Sequence, residues 1–246
     1  SSAVARVVAP ELDRAIYLDL LHKMLTVNAI EERLKVFVRA GKVSFHASTR
    51  GHEKLQIAMS LLLTPGKDWF FPYYREKALM VGLGMSPKDI FLHMLSKADD
   101  PCGGGRNMSE HFSSKALRVV SPTACTGTQY LQAAGMAKAV KAEGGDEIVY
   151  VSSGEGATSE GEFFEALNYA GRDQLPVLFL VQNNGYAISV PQSVQTGSEI
   201  HTIAKGFKVR SVEVDGTQFT EMYKTLKPLV EAMRHGGGPL LVEAHV

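Results

Sequence analysis

Two runs of buried-strand character, each closing on a cluster that strands rarely contain, constrain this chain more than any other feature. Residues 147–153 (EIVYVSS) are rich in β-branched and aromatic side chains and run into Gly154-Glu155-Gly156-Ala157. A helical pattern follows over about 162–172. Residues 176–182 (PVLFLVQ) then read as a second buried strand, ending in Asn183-Asn184-Gly185-Tyr186. A third strand is expected over 209–214, a helix over 220–234 and a final strand over 239–246. Strand, helix, strand at this spacing implies right-handed crossovers and a parallel sheet covered on both faces.

The first half has a different rhythm. Over 11–40, Leu12, Ile16, Leu20, Leu21, Met24 and Leu25 recur at helical spacing, and Gly41 follows as a stop. Residues 53–63 read as a second helix closed by Thr64-Pro65-Gly66. Ser86-Pro87 is a helix start, a serine N-cap followed by proline at the first helical position, leading into 90–97. A glycine-rich loop spans 102–106. The expected fold is therefore α/β: a doubly wound, mostly parallel sheet with helices on both faces and a helical N-terminal extension. We expect one domain over 1–246, with 1–65 as the extension.

Composition narrows the partners. The 26 basic residues balance 26 acidic ones, leaving no net field to attract nucleic acid or an anionic membrane. No apolar run approaches the ~20 residues a membrane span needs. Only Cys102 and Cys125 are present, without metal-ligand spacing. They read as reduced thiols of a cytosol-like compartment, such as the bacterial cytoplasm or the mitochondrial matrix. The N-terminal SSAVARVVAP lacks a signal pattern, although a transit peptide could already have been removed.

Open parallel sheets bind ligands beyond the carboxyl ends of their strands. If the strands ending at Ser153 and Gln182 are neighbours, the Glu155 carboxylate and an asparagine amide oxygen converge there. Hard oxygen donors suit magnesium, which completes its octahedron with water and substrate phosphates. The glycines let backbone N–H groups approach a phosphate, and the helix starting after Gly161 would aim its positive end the same way. Taken singly, either cluster also fits an ordinary turn.

The stretch GEGATSEGEFFEALNYAGRDQLPVLFLVQNNGYAISVP resembles the thiamine-diphosphate motif: Gly-Asp/Glu-Gly, about thirty residues, then Asn-Asn. Its surroundings resemble the α subunit of 2-oxo acid dehydrogenases over roughly 11–246. The resemblance implies metal ligation by Glu155, Asn184 and the backbone carbonyl of Tyr186, with Asn184 also at the cofactor. It implies diphosphate contacts from the backbone of Gly156 and Ala157 and from Tyr74-Arg75, where arginine's planar fork suits a phosphate. Thr126 stands where relatives hold the aminopyrimidine through a carbonyl. His46 resembles a histidine some relatives place at the cofactor, and fits a structural role equally well. Gly105-Arg106-Asn107-Met108 and His111 resemble a loop preceding the sheet. Thr128-Gln129 matches the spacing of a family potassium site, although the residues before it depart from that site's Ser and Pro. Two further departures are Glu155, where most of the family has Asp and branched-chain members have Glu, and Gln182, where those members carry an arginine.

What the resemblance implies is oxidative decarboxylation of a branched-chain 2-oxo acid of the 3-methyl-2-oxobutanoate type, with magnesium and thiamine diphosphate as cofactors. The acyl group passes to lipoamide on an acyltransferase core. A β subunit, or a fused β half, supplies the glutamate that activates the cofactor, in an α2β2 assembly; no catalytic residue is assigned in this chain. The family also has a histidine in a Ser-rich loop beyond the final strand, so the chain alone is expected to be inactive. A pyruvate or acetoin dehydrogenase α subunit is the same-class alternative. A non-catalytic nucleotide-binding module is the other, but it needs GxGxxG after an early strand, which GGGRNM at 103–108 does not supply. A purely structural assembly subunit would show no magnesium-dependent cofactor binding.

Overall fold

The computed structural model describes residues 12–246. The first eleven, which open the expected N-terminal extension, lie outside it. The chain begins with helix α1 (Arg14–Arg39), whose N-cap Asp13 accepts the Ala15 N–H at 3.0 Å, and α2 (Glu53–Leu62). Strand β1 (Trp69–Phe71), α3 (Lys77–Leu83), α4 (Pro87–Met94) and α5 (Gln129–Ala142) follow. Ser86 caps α4 as its sequence requires, accepting the Asp89 N–H at 3.1 Å. Then come β2 (Val149–Gly154), a 3-10 turn (Glu155–Ser159), α6 (Gly161–Asp173) and β3 (Val177–Asn183). A small antiparallel hairpin, β4 (Tyr186–Ala187) with β5 (Val190–Pro191), precedes α7 (Gln192–Gln195) and α8 (Ile200–Gly206). The chain closes with β6 (Arg210–Asp215), α9 (Phe219–Arg234) and β7 (Leu240–His245).

Five strands form one parallel sheet in the order β1-β2-β3-β7-β6. Strand alternation sorts its side chains into two cores. Tyr150, Leu178, Leu180, Leu240 and Val242 pack with Val27 and Leu34 of α1, Leu55 of α2 and Leu226 of α9. On the other face Val149, Val151, Val177, Phe179, Val181 and Leu241 meet Ala133 of α5, Phe163 and Leu167 of α6 and Ala204 of α8. Every residue of β3 is buried, which explains why its sequence is a continuous apolar run rather than an alternating one. Helices on both faces of a parallel sheet are what the strand–helix rhythm predicts.

Several elements escape the sequence reading, among them β1, α3, α5 and α8. β1 is only three residues long, inside the aromatic run WFFPYY, and its neighbour α3 begins six residues after β1 ends. α5 is rich in alanine, with little apolar contrast around its axis. Close approach to the sheet explains that composition: Ala133, Ala134 and Ala137 are fully buried. Among the described residues no helix is long and apolar enough to cross a membrane.

Candidate cofactor site

The register Gly154↔Gln182 sets β2 and β3 side by side, so their carboxyl ends open onto one place. Glu155 is the first residue of the 3-10 turn and Asn184 the first beyond β3. Glu155 Oε2 accepts the Asn184 N–H at 3.3 Å, so the two loop ends meet. Glu155 Oε1 is buried and has no hydrogen-bond partner. Burial pushes the carboxyl above its usual range, against the pull of the Asn184 N–H and the Arg75 charge. A buried carboxylate oxygen without a donor is costly unless something else meets it. The two asparagines part company: Asn183 is committed inward, its amide donating to Glu243 at 2.9 Å and to Gln192 at 2.8 Å. Asn184 keeps its side chain at the cavity, where Oδ1 accepts the Tyr186 N–H at 3.0 Å.

A cavity of about 330 Å³ stands over these loop ends. Tyr74, Arg75, Thr126, Glu155, Gly156, Ala157, Asn184 and Tyr186 all line it. Eight residues named from the sequence, from four separate stretches of chain, are thereby brought together. Arg75 is the one cation in the lining; its Nη1 donates to the Ser48 carbonyl at 2.7 Å and its guanidinium lies 5.6 Å from the Tyr74 ring centroid. Position 156 has to be glycine for a steric reason: a Cβ there would sit 2.5 Å from that of Ala187. The sequence reading missed Tyr73, Ala187 and Ile188 in the lining. Tyr73 was adjacent to the Tyr-Arg pair, and Ile188 carries a φ of 57°, which no sequence pattern announces.

Three other expected site features are placed as follows. His46 does not line this cavity. It lies in an adjoining cleft of about 540 Å³ that shares Tyr74, Arg75 and Ile188 with it. Its Nδ1 sits 2.8 Å from Glu110 and its Nε2 3.2 Å from Glu31, the latter without hydrogen-bond geometry. Those carboxylates raise the imidazole to about 9, so it is a cation at neutral pH with both nitrogens already faced by anions. Lys77 completes the cluster, donating to Glu110 and to the Ala47 carbonyl. The second is the start of α6. The 3-10 turn intervenes, and Gly156 and Ala157 rather than the first turn of α6 form the cavity wall. The third is Gln129, whose amide oxygen accepts the Gly127 N–H and whose nitrogen donates to the Ser152 carbonyl, both at 3.1 Å. That clamp ties its loop to β2.

Elsewhere, His93, Asp100 and Cys102 bring donor atoms within 4.8 Å of one another. Asp100 is spent holding the glycine-rich loop, through the N–H groups of Cys102, Gly103 and Gly105 and the His93 ring. Burial pushes the Cys102 thiol up to about 12. This cluster reads as the anchor of the loop that carries Met108 and His111 to the cleft.

The family model described as "Dehydrogenase E1 component" matches residues 22–246. The 2-oxoisovalerate dehydrogenase subunit alpha of Bacillus subtilis (strain 168) is 37% identical over 226 residues, covering 92% of this chain and 68% of that protein. The mitochondrial 2-oxoisovalerate dehydrogenase subunit alpha 2 of Arabidopsis thaliana is 34% identical, over 96% of this chain and 49% of its own length. A pyruvate dehydrogenase E1 component subunit alpha of Staphylococcus aureus is 30% identical, over 96% and 61%. The chain thus spans between 49% and 68% of the length of these relatives.

Proposed function

This chain belongs to the dehydrogenase E1 component family, and we propose that it serves as the cofactor-holding α part of a thiamine-diphosphate-dependent 2-oxo acid dehydrogenase. The observation that carries this reading is the buried, unpartnered oxygen of Glu155 beside the Asn184 loop, in a cavity whose only lining cation is Arg75. That donor set fits magnesium, which takes one or two carboxylates and fills its remaining positions with water and phosphate oxygens. Gly156, with no room for a Cβ, fits a backbone that must come close to a phosphate.

In this proposal Glu155, the Asn184 side chain and the Tyr186 carbonyl hold the metal. Gly156 and Ala157 through their backbone, together with Asn184, Tyr74 and Arg75, hold the diphosphate. Thr126 faces the aminopyrimidine. His46 contributes from the cleft next door, as an imidazolium fixed by Glu31 and Glu110 that shapes the wall beside Arg75. When bound, thiamine diphosphate supplies a nucleophilic ring carbon and an electron sink for decarboxylation. The protein's own work is to place it: Arg75 neutralises phosphate charge, and Glu155 gives up any proton it carries when the metal arrives. No group in the cavity is assigned proton transfer to the substrate. That task falls to a β subunit or fused β half in an α2β2 assembly, and the acyl group goes to lipoamide on the acyltransferase core.

The substrate is a branched-chain 2-oxo acid of the 3-methyl-2-oxobutanoate type. Relatives named for 2-oxoisovalerate at 37% and 34% identity, against 30% for one named for pyruvate, support this choice, as does Glu155 in place of Asp. The test is the full-length protein reconstituted with its β part and assayed on 3-methyl-2-oxobutanoate and pyruvate. We expect kcat/KM to favour the branched acid by about tenfold or more, the discrimination an apolar pocket gives for one or two extra carbons. A preference for pyruvate would establish the pyruvate-type reading instead.

A further inference from the structure

Among the described residues, several carboxylates are fully buried. Glu31 and Glu110 face His46 and Lys77, Asp68 faces Arg234, and Glu76 meets the Tyr150 hydroxyl and the Gln182 amide. Glu243, in the otherwise apolar run of β7, has partners that lead to the cofactor cavity. A charge buried in the middle of a sheet is costly unless donors meet it. Its Oε2 accepts the His201 backbone N–H at 2.9 Å and lies 2.9 Å from that ring's Nδ1. Its Oε1 accepts the Asn183 amide, also at 2.9 Å. Burial pushes the carboxyl up, but these donors outweigh it and hold it below its usual range.

Val181 of β3 stands beside Glu243 of β7, and Val181 and Leu241 share one core. Alternation puts Asn183 and Glu243, two residues further along each strand, on that same face. A carboxylate can only accept, so Asn183 must turn its nitrogen to Glu243. The second amide hydrogen goes to Gln192 Oε1 at 2.8 Å, which leaves the amide oxygen for the Gly185 N–H at 2.9 Å. The Gln192 N–H in turn donates to the Gly185 carbonyl at 2.9 Å, and the Val246 N–H to the Asn183 carbonyl at 3.0 Å. Together these close a turn over 183–186 in which Gly185 has a φ of 83°. Reversing the Asn183 amide would set nitrogen against the Gly185 N–H and oxygen against the carboxylate.

Resting on the proposed cofactor reading, we propose that Glu243 is a positioning residue for the metal, which holds the Asn183 amide one way round and so fixes the turn over 183–186. That turn carries two of the three proposed ligands, the Asn184 side chain and the Tyr186 carbonyl. It also carries the Asn184 N–H that meets Glu155. Glu243 touches neither metal nor cofactor and acts only through Asn183. Groups that orient metal ligands in this way are worth roughly 10–100-fold in metal affinity.

The test reads the magnesium requirement rather than turnover. Thiamine diphosphate binding to the full-length protein with its β part is followed by calorimetry over a magnesium series. In Glu243→Gln one acceptor remains. The His201 backbone N–H cannot turn away and takes it, so the new amide nitrogen meets that of Asn183. We expect the magnesium concentration for half-maximal binding to rise about tenfold or more. Asn183→Asp alone sets two carboxylates against each other and should raise it as well. Combined, the two changes restore a donor–acceptor pair across the same gap: the new glutamine donates to the new aspartate, which keeps the Gly185 N–H, while Gln192 turns its own amide. The requirement should then return to within about threefold of wild type, a coupling that independent effects would not give. Ser86→Ala, which lowers stability without touching the network, should keep the wild-type requirement. A wild-type requirement in folded Glu243→Gln, or a combined variant no better than the single ones, would overturn the proposal. If Glu243→Gln does not fold, the combined variant decides, and a raised requirement there overturns it. Absence of magnesium-dependent cofactor binding by wild type would instead overturn the reading it rests on.

Discussion

At the scale of single residues, charge placement decides what each group can do. His46 illustrates this most directly. Its partners Glu31 and Glu110 are fully buried, and Lys77 is too, so removing the imidazolium would leave a net negative charge in the interior. A histidine raised in the folded state contributes stability that is complete below its unfolded value of 6.5 and is lost as pH rises through about 9. Thermal melts from pH 6 to 9.5 should therefore show an alkaline loss of Tm that His46→Gln flattens; equal slopes in both proteins would contradict the assignment. The same contrast explains why His46 could not be placed from sequence. Its neighbours in KVSFHASTRGHE say nothing of a carboxylate 64 residues away, and the histidine's role is fixed by that partner. Glu155, Asn184 and Arg75 were legible because each sits in a local pattern with its own chemistry. Glu76 was not, since its meaning lies in its burial.

At the scale of elements, legibility followed the strength of local contrast. Ser86-Pro87 started a helix because a cap and a fixed φ act within three residues. The strands β2 and β3 stood out because full burial makes them continuous apolar runs. α5 was invisible because its alanines serve close packing rather than an amphipathic stripe, and β1 was too short to show a period. Two substitutions separate these effects. Ser86→Ala should lower stability by about 1 kcal/mol, the usual worth of an N-cap, as read from denaturant midpoints. Gly171→Ala should lower it by more, roughly 1–3 kcal/mol, because the added Cβ would lie 1.8 Å from the Phe207 carbonyl oxygen where α6 passes the end of α8. Neither element end lines the cavity, so cofactor affinity should change little in either variant at temperatures where both are folded.

At the scale of the whole molecule, the parallel sheet is what turns separate motifs into one site. Because β2 and β3 are adjacent and run the same way, a carboxylate and an amide separated by a crossover helix arrive together, and the loops carrying Tyr74, Arg75 and Thr126 close over them. The central claim is that this meeting point grips a divalent cation and, through it, a diphosphate. Calorimetry of thiamine diphosphate binding to the full-length protein with its β part, with magnesium and with a chelator, tests it most directly when run on wild type and Glu155→Ala. The account predicts tight binding in wild type only with magnesium, weakened about a hundredfold or more by Glu155→Ala. Binding that ignores the chelator, or that survives the loss of Glu155 unchanged, would contradict it.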